Sequence, residues 1–221
     1  LTSIEGVAAG SDDLLRRSGR SATGLPRQPI PVTLVTGFAG PGKALLIDHW
    51  LLGRAADEPW ALVLNESTVP ARPRVQRLDL RGACVCCAAL PVLRARLPAL
   101  LRGRPGRLVI ELGETADPAA VAALLAAPGW RPWLQPPRVV AVIGADRLGP
   151  YLDDPSLAPS IRLYADLHLR QANAVQWLPA DGTTGEALAR IRSRAGRPHA
   201  LLSSGPGRPW IEPTELERAV D

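Results

Sequence analysis

The stretch Gly37-Phe38-Ala39-Gly40-Pro41-Gly42-Lys43 has the residue types and spacing to bind phosphate. It fills the first seven positions of G-x-x-x-x-G-K-[ST], in which glycines let the backbone wrap so that successive N–H groups converge on phosphate oxygens. A helix beginning at the end of the turn adds its positive N-terminal end, and the lysine reaches the outer phosphates. Lys43 is the chain's sole lysine: the 26 basic residues are otherwise all arginine. A compact ammonium has thus been kept where a point charge suits phosphate. The competing structural reading is an ordinary strand–turn–helix connection that contains the same glycines. Gly37, Gly40, Pro41, Gly42, Lys43 and Ala44 are the candidate phosphate-binding residues. Position 44 usually carries a Ser or Thr hydroxyl that ligates Mg²⁺. With Ala44 there, phosphate binding survives better than hydrolysis.

The second constellation is Cys84-Val85-Cys86-Cys87, which contains all three cysteines. Thiolates are soft ligands that suit zinc, and a tetrahedral site could take Cys84, Cys86 and Cys87 plus one further donor. The spacing is unlike the paired C-x₂-C motifs of closed structural sites and fits a metal that is taken up and released. A redox-sensing thiol group and inert buried cysteines are the alternatives. Glu66, His49 or a water are candidates for the fourth ligand. Glu66 is preferred because strand ends of an open parallel sheet converge on one edge. His49 lies in an apolar helical stretch and reads first as a core or surface histidine.

These groups need a scaffold, and the apolar pattern supplies one. Short runs at 30–36, 60–64, 75–80, 108–112, 139–143, 174–178 and 200–202 read as strands. The stretches 44–52, 89–101, 118–126, 161–171 and 185–194 read as helices, with Pro98 expected to kink or end the third-strand helix. Near-continuous apolar strands alternating with helices imply an α/β fold: a three-layer, doubly wound nucleotide-binding domain with a mostly parallel sheet and helices on both faces. Residues 1–28 read as a flexible lead-in with a short helix near 11–17. Residues 29–205 form the domain, and 206–221 a C-terminal tail.

The formal charge of +5 is modest for 221 residues, and the arginines are scattered, which favours a solvated surface over a nucleic-acid footprint. No apolar run approaches the ~20 residues needed to span a bilayer. Three clustered thiols without a disulfide pattern suit a reducing compartment, so the expected location is the cytoplasm. The chain starts at Leu1 and contains no methionine, so it is expected to be a piece of a longer product.

Together, the two motifs resemble the CobW/HypB/UreG family of P-loop GTPases, especially its CobW-like metallochaperone branch. The likeness is carried by Ile30–Lys43, Asn65-Glu66, Ala83–Cys87, Ile110-Glu111 with Ala116-Asp117-Pro118, and Val139–Ala145, across residues 29–181. The resemblance implies a carrier, gated by GTP or GDP, that delivers zinc or cobalt to a client protein. It leaves homo- or hetero-oligomerisation open. It also implies roles at the nucleotide: Glu111 or Asp117 would take over part of a Mg²⁺ contact or position water, and Asp181 would face the base. Their structural alternatives are a buried paired carboxylate for Glu111 and a helix N-cap for Asp117. The departures all point one way. Leu112, Gly113 and Glu114 occupy the stretch where the family carries Thr or Ser and then a glycine whose backbone senses the γ-phosphate. Of the guanine-reading Asn-Lys-x-Asp only Asp181 remains, in Leu178-Pro179-Ala180-Asp181. The family's second domain is expected to be absent or reduced to the tail. These imply weak or lost GTP hydrolysis. The rival class is a non-catalytic, zinc-dependent protein-binding adaptor on the same fold, and a small P-loop kinase is a third.

Overall fold

The computed structural model describes residues 28–80, 82–144, 156, 159–178, 189, 193, 200–203 and 210–218. Its strands are β1 (Val32–Gly37), β2 (Trp60–Leu64), β3 (Val75–Asp79), β4 (Arg107–Glu111), β5 (Arg138–Gly144), β6 (Ala174–Leu178) and β7 (Ala200–Ser203). They form one sheet in the order β3-β2-β4-β1-β5-β6-β7, and every ladder is parallel. The helices are α1 (Gly42–Gly53), α2 (Leu90–Arg102), α3 (Pro118–Leu125), α4 (Pro159–Gln171) and α5 (Pro213–Arg218). Residues 1–27 of the expected lead-in with its short helix, the helix at 185–194 apart from positions 189 and 193, and Asp181 fall outside the described residues.

Strand alternation splits the core into two faces. On β1, Val32 and Leu34 point into one cluster while Val35 points into the opposite one. Ala61 and Val63 of β2 follow the first direction, and Trp60, Leu62 and Leu64 the second. The first face is covered by α2 and α3 through Leu93, Leu97, Leu101, Val121 and Leu125, and it continues under α4 through Ala165 and Leu169. The second face is covered by α1 through Leu46, Ile47, Trp50 and Leu51. Both faces being buried is why these strands carry so few polar residues. Among the strands whose burial is described, the edge strand β3 is the exception, with partly exposed residues along its length.

Two details differ from what the sequence implies. Of the two outcomes expected at Pro98, a kink or an end, the end does not occur: α2 runs through Pro98 to Arg102. Pro98 sits on the solvent face, so water can serve the Arg94 carbonyl that loses its intrahelical donor, while Leu93, Leu97, Leu100 and Leu101 hold the helix down. The segment set apart as a tail contributes α5. Ile211 and Leu216 are buried beside Trp50, the Trp50 indole donates to the Ile211 carbonyl at 2.5 Å, and Gln176 accepts from the Ile211 N–H at 2.9 Å. A six-residue helix is too short to announce itself by periodicity.

Parallel topology sends the carboxyl ends of β1, β2, β3 and β4 to one edge. The phosphate turn, the 65–67 loop, the cysteine loop and the segment 112–117 therefore meet there.

Candidate functional site

The turn from β1 into α1 is built on backbone sterics. Gly37 and Gly40 have φ of +128° and +129°, which side-chain-bearing residues rarely adopt. A Cβ on Gly37 would lie 2.1 Å from the Val142 carbonyl oxygen of β5, its register partner. At Gly42 a Cβ would meet Leu178 Cδ1 at 2.8 Å and Val142 Cγ1 at 3.0 Å. Pro41 occupies the N-cap position of α1 and no side chain caps the helix, so its first amides face the turn. This is the cradle that the glycine spacing implies. Ala44 packs partly buried against the α1-side core and presents no oxygen.

Lys43 is 1% exposed, and its ammonium donates to Glu66 Oε2 at 3.0 Å and to the Gly37 carbonyl at 3.4 Å. The other Glu66 oxygen accepts from the Glu114 N–H at 3.0 Å. Glu66 thus faces the phosphate turn, and the structure does not bring it to the thiols: among the described residues the metal-sized cluster consists of the three cysteines. The neighbouring side chain goes the other way. Asn65 donates from Nδ2 to the Leu80 carbonyl at 3.2 Å and the Ala83 carbonyl at 2.9 Å, and its Oδ1 accepts from the Gly113 N–H at 3.0 Å. The chain bends here, with the N–H groups of residues 65–67 converging on Glu111, and the two side chains leave it in different directions.

Glu111 is fully buried at the end of β4. Its Oε2 accepts from the N–H groups of Asn65, Glu66 and Ser67 at 3.0, 3.2 and 3.0 Å, and its Oε1 accepts from the Ser67 hydroxyl. Backbone donors satisfy the charge, so Glu111 holds the 65–67 loop in shape. Asp117 is the N-cap of α3, accepting from the Ala119 N–H at 2.9 Å and from the Gln171 amide at 3.1 Å. Both carboxylates thus take the structural alternatives named for them. His49 lies on α1, paired with Glu212 at 3.1 Å and stacked on Trp210, so it is a surface histidine tied to the C-terminal segment.

The cysteine loop is anchored by one apolar residue. Val85 is fully buried in the core under α2, and Cys84 and Cys86 on either side of it pack partly buried against the same core. Cys84 and Cys86 are half-buried and Cys87 is exposed. The Cys87 and Ala89 N–H groups donate to the Cys84 carbonyl at 3.3 and 2.9 Å, bending the chain so that all three sulfurs lie within 4.8 Å of one another. A tetrahedral zinc with Zn–S of ~2.3 Å spaces its sulfurs roughly 3.8 Å apart, so the three thiols fit one such ion with small adjustment. Burial, followed by the Cys86 contact, pushes the Cys84 thiol up to about 12. The Ala88 N–H, followed by Cys84, draws the Cys87 thiol below its usual value.

Sequence reasoning missed His168 of α4. It is buried, with Nδ1 2.6 Å from Thr36 Oγ1 and Nε2 2.5 Å from the Glu114 carbonyl. Its only sequence signal was a histidine inside an otherwise ordinary amphipathic helix. Among the described residues no helix is long and apolar enough to cross a membrane.

Against known proteins, the family model "CobW/HypB/UreG, nucleotide-binding domain" matches residues 31–173. The zinc chaperone YeiR of Escherichia coli K12 is 30% identical over 186 residues, covering 79% of this chain and 55% of YeiR. The zinc chaperone CobW of Pseudomonas aeruginosa is 28% identical, covering 79% and 56%. The zinc-regulated GTPase metalloprotein activator 1 of Saccharomyces cerevisiae is 26% identical, covering 54% and 29%. The chain therefore spans little more than half the length of the two bacterial relatives and under a third of the yeast one. The crystal structure of the Zn(II)-bound YjiA GTPase from E. coli has the same fold, with a TM-score of 0.58 at 20% identity over 86% of this chain and 61% of that one.

Proposed function

Because the chain belongs to the CobW/HypB/UreG family, we propose that it is a guanine-nucleotide-binding zinc metallochaperone whose GTP hydrolysis is weak or lost. The observation that carries this reading is the Asn65-Glu66 dipeptide, which touches both halves of the site: Glu66 holds Lys43, and Asn65 holds the Ala83 carbonyl next to Cys84. Similarity to two proteins named as zinc chaperones supports the choice of cargo, with cobalt the alternative metal.

In this reading the backbone of Gly40 and Gly42 and the Lys43 ammonium bind the phosphates. A phosphate at Lys43 competes with the Glu66 carboxylate, and movement of Glu66 pulls on the adjoining Asn65 and thereby on the cysteine loop. Cys84, Cys86 and Cys87 carry the metal, exposed enough for a client protein to collect it, and a water or a client residue completes the set. Mg²⁺, when bound, would neutralise phosphate charge. Ala44 offers it no hydroxyl, and Glu111 and Asp117 are occupied as anchors, so turnover is slow. Asp181 is the remaining candidate for contacting the base. Reduced thiols suit the cytoplasm.

Titration with GTP, GDP and ATP, with and without Mg²⁺, tests the nucleotide half. Guanine nucleotides are expected to bind with little hydrolysis, and no binding of any nucleotide would favour the adaptor reading. Zinc content tests the metal half: Cys86→Ala is expected to lose the metal, and an unchanged content removes the cluster from consideration.

A further inference from the structure

The contacts around the phosphate turn close into a ring. Lys43 donates to the Gly37 carbonyl and to Glu66 Oε2, Glu66 Oε1 accepts from the Glu114 N–H, the Glu114 carbonyl faces His168 Nε2, and His168 Nδ1 faces the hydroxyl of Thr36. Thr36 precedes Gly37, so the ring returns to the turn through one peptide bond. A carbonyl can only accept, which makes Nε2 the protonated nitrogen and leaves Nδ1 to accept from the Thr36 hydroxyl. His168 is buried to 2% exposure, and burial holds its pKa below the usual histidine value, in keeping with a neutral ring.

We propose that His168 is a positioning residue for nucleotide binding: by gripping the Glu114 carbonyl it keeps the Glu114 N–H on Glu66, and so keeps Glu66 seated on Lys43 as an internal competitor of phosphate. The inference rests on the nucleotide-binding reading above. Three elements enclose the contact. Thr36 belongs to β1 at the centre of the sheet, His168 to α4 against the β5–β6 side, and Glu114 to the segment leaving β4. Without His168, the half-exposed Glu66 carboxylate keeps only the mobile end of its tether and leaves Lys43 more readily. His168 therefore sets how strongly the empty turn is self-occupied.

The test uses the whole 221-residue chain, with GDP and inorganic pyrophosphate as probes in isothermal titration. His168→Leu is expected to bind both about two- to fivefold more tightly, the scale of a partly exposed ion pair. His168→Gln, which can still donate to the carbonyl, is expected to stay near wild type. In a Glu66→Gln background the competitor is already neutralised, so adding His168→Leu is expected to change little, whereas damage to the fold would weaken binding in both backgrounds. Histidine ¹⁵N spectra provide a readout that needs no nucleotide: His168 is expected to remain the neutral Nε2–H tautomer between about pH 6.5 and 8. Weaker binding in His168→Leu, additive effects with Glu66→Gln, or the Nδ1–H tautomer overturns the proposal. If wild type binds neither probe, the nucleotide-binding reading falls and takes this one with it. If wild type binds and the variants do not differ, only the role of His168 falls.

Discussion

The phosphate turn and the cysteine loop lie at the same sheet edge and are held by opposite means. The turn is fixed by missing atoms: Gly37 lies so close to the Val142 backbone that no side chain fits, and a Cβ on Gly42 would press on the ends of Leu178 and Val142. The cysteine loop is fixed by a side chain that is present, Val85, seated in the core, with Asn65 gripping the backbone before it. Its sulfurs stay partly exposed and close together. A phosphate site can be preformed in backbone because its ligand is bound by amides. A site for a travelling metal needs thiols that can rearrange. On the proposed function, phosphate binding resides in fixed backbone and metal carriage in a tethered loop.

That contrast can be broken from either side. Gly37→Ala places a methyl on the Val142 carbonyl at a left-handed φ and is expected to be the most damaging change, costing about 3 kcal/mol or more in urea unfolding. Glu111→Gln puts an amide among three N–H donors that need a carboxylate. About 3 kcal/mol is expected there, with a fall in zinc affinity because Asn65 of the 65–67 loop holds the Ala83 carbonyl before Cys84. Val85→Ala removes the anchor of the cysteine loop, at about 2 kcal/mol. It is expected to weaken zinc binding while leaving GDP affinity near wild type, and an equal loss of both would erase the distinction between the two regions. Asp117→Ala removes the α3 cap for about 1 kcal/mol in thermal melts, with nucleotide affinity little changed.

The mildest effect concerns acidity. Burial lowers the folded-state pKa of His168 below 6.5, while Lys43 also disfavours the charged ring and Glu114 and Asp117 partly oppose this. The unfolded chain therefore takes up the proton first. The contribution is constant above 6.5 and is lost as pH falls below it. Melting temperature against pH should show this shoulder, and His168→Gln should flatten it.

Much of the fold was legible because the strands are buried on both faces and so read as continuous apolar runs punctuated by glycine and proline. The phosphate turn was legible for a related reason. Its function lies in backbone conformation, and Gly37, Gly40 and Gly42 announce that conformation directly. The three cysteines were legible as a group. Glu66 was misdirected toward the thiols because convergence of strand ends brings both residues of a dipeptide to the edge without saying which side chain turns where. α5 was missed because six residues give no period, and its burial depends on Trp50 and Gln176, distant in sequence.

The lone lysine and its glycines, the clustered thiols and the alternation of strand and helix were determined by the sequence alone, since each is a local property of residue type and spacing. Which carboxylate holds a loop, which caps a helix and which pairs with Lys43 was decided only by the tertiary structure. Glu111, Glu66 and Asp117 look alike as carboxylates along the chain, and they part company through partners 44 to 54 positions away or, for Lys43, across the sheet edge. The same holds for His168, whose two nitrogens gain their meaning from Thr36, 132 residues earlier, and Glu114. Long-range hydrogen bonds assign roles that local pattern cannot, because the geometry that makes a donor face an acceptor exists only once the strands have been ordered.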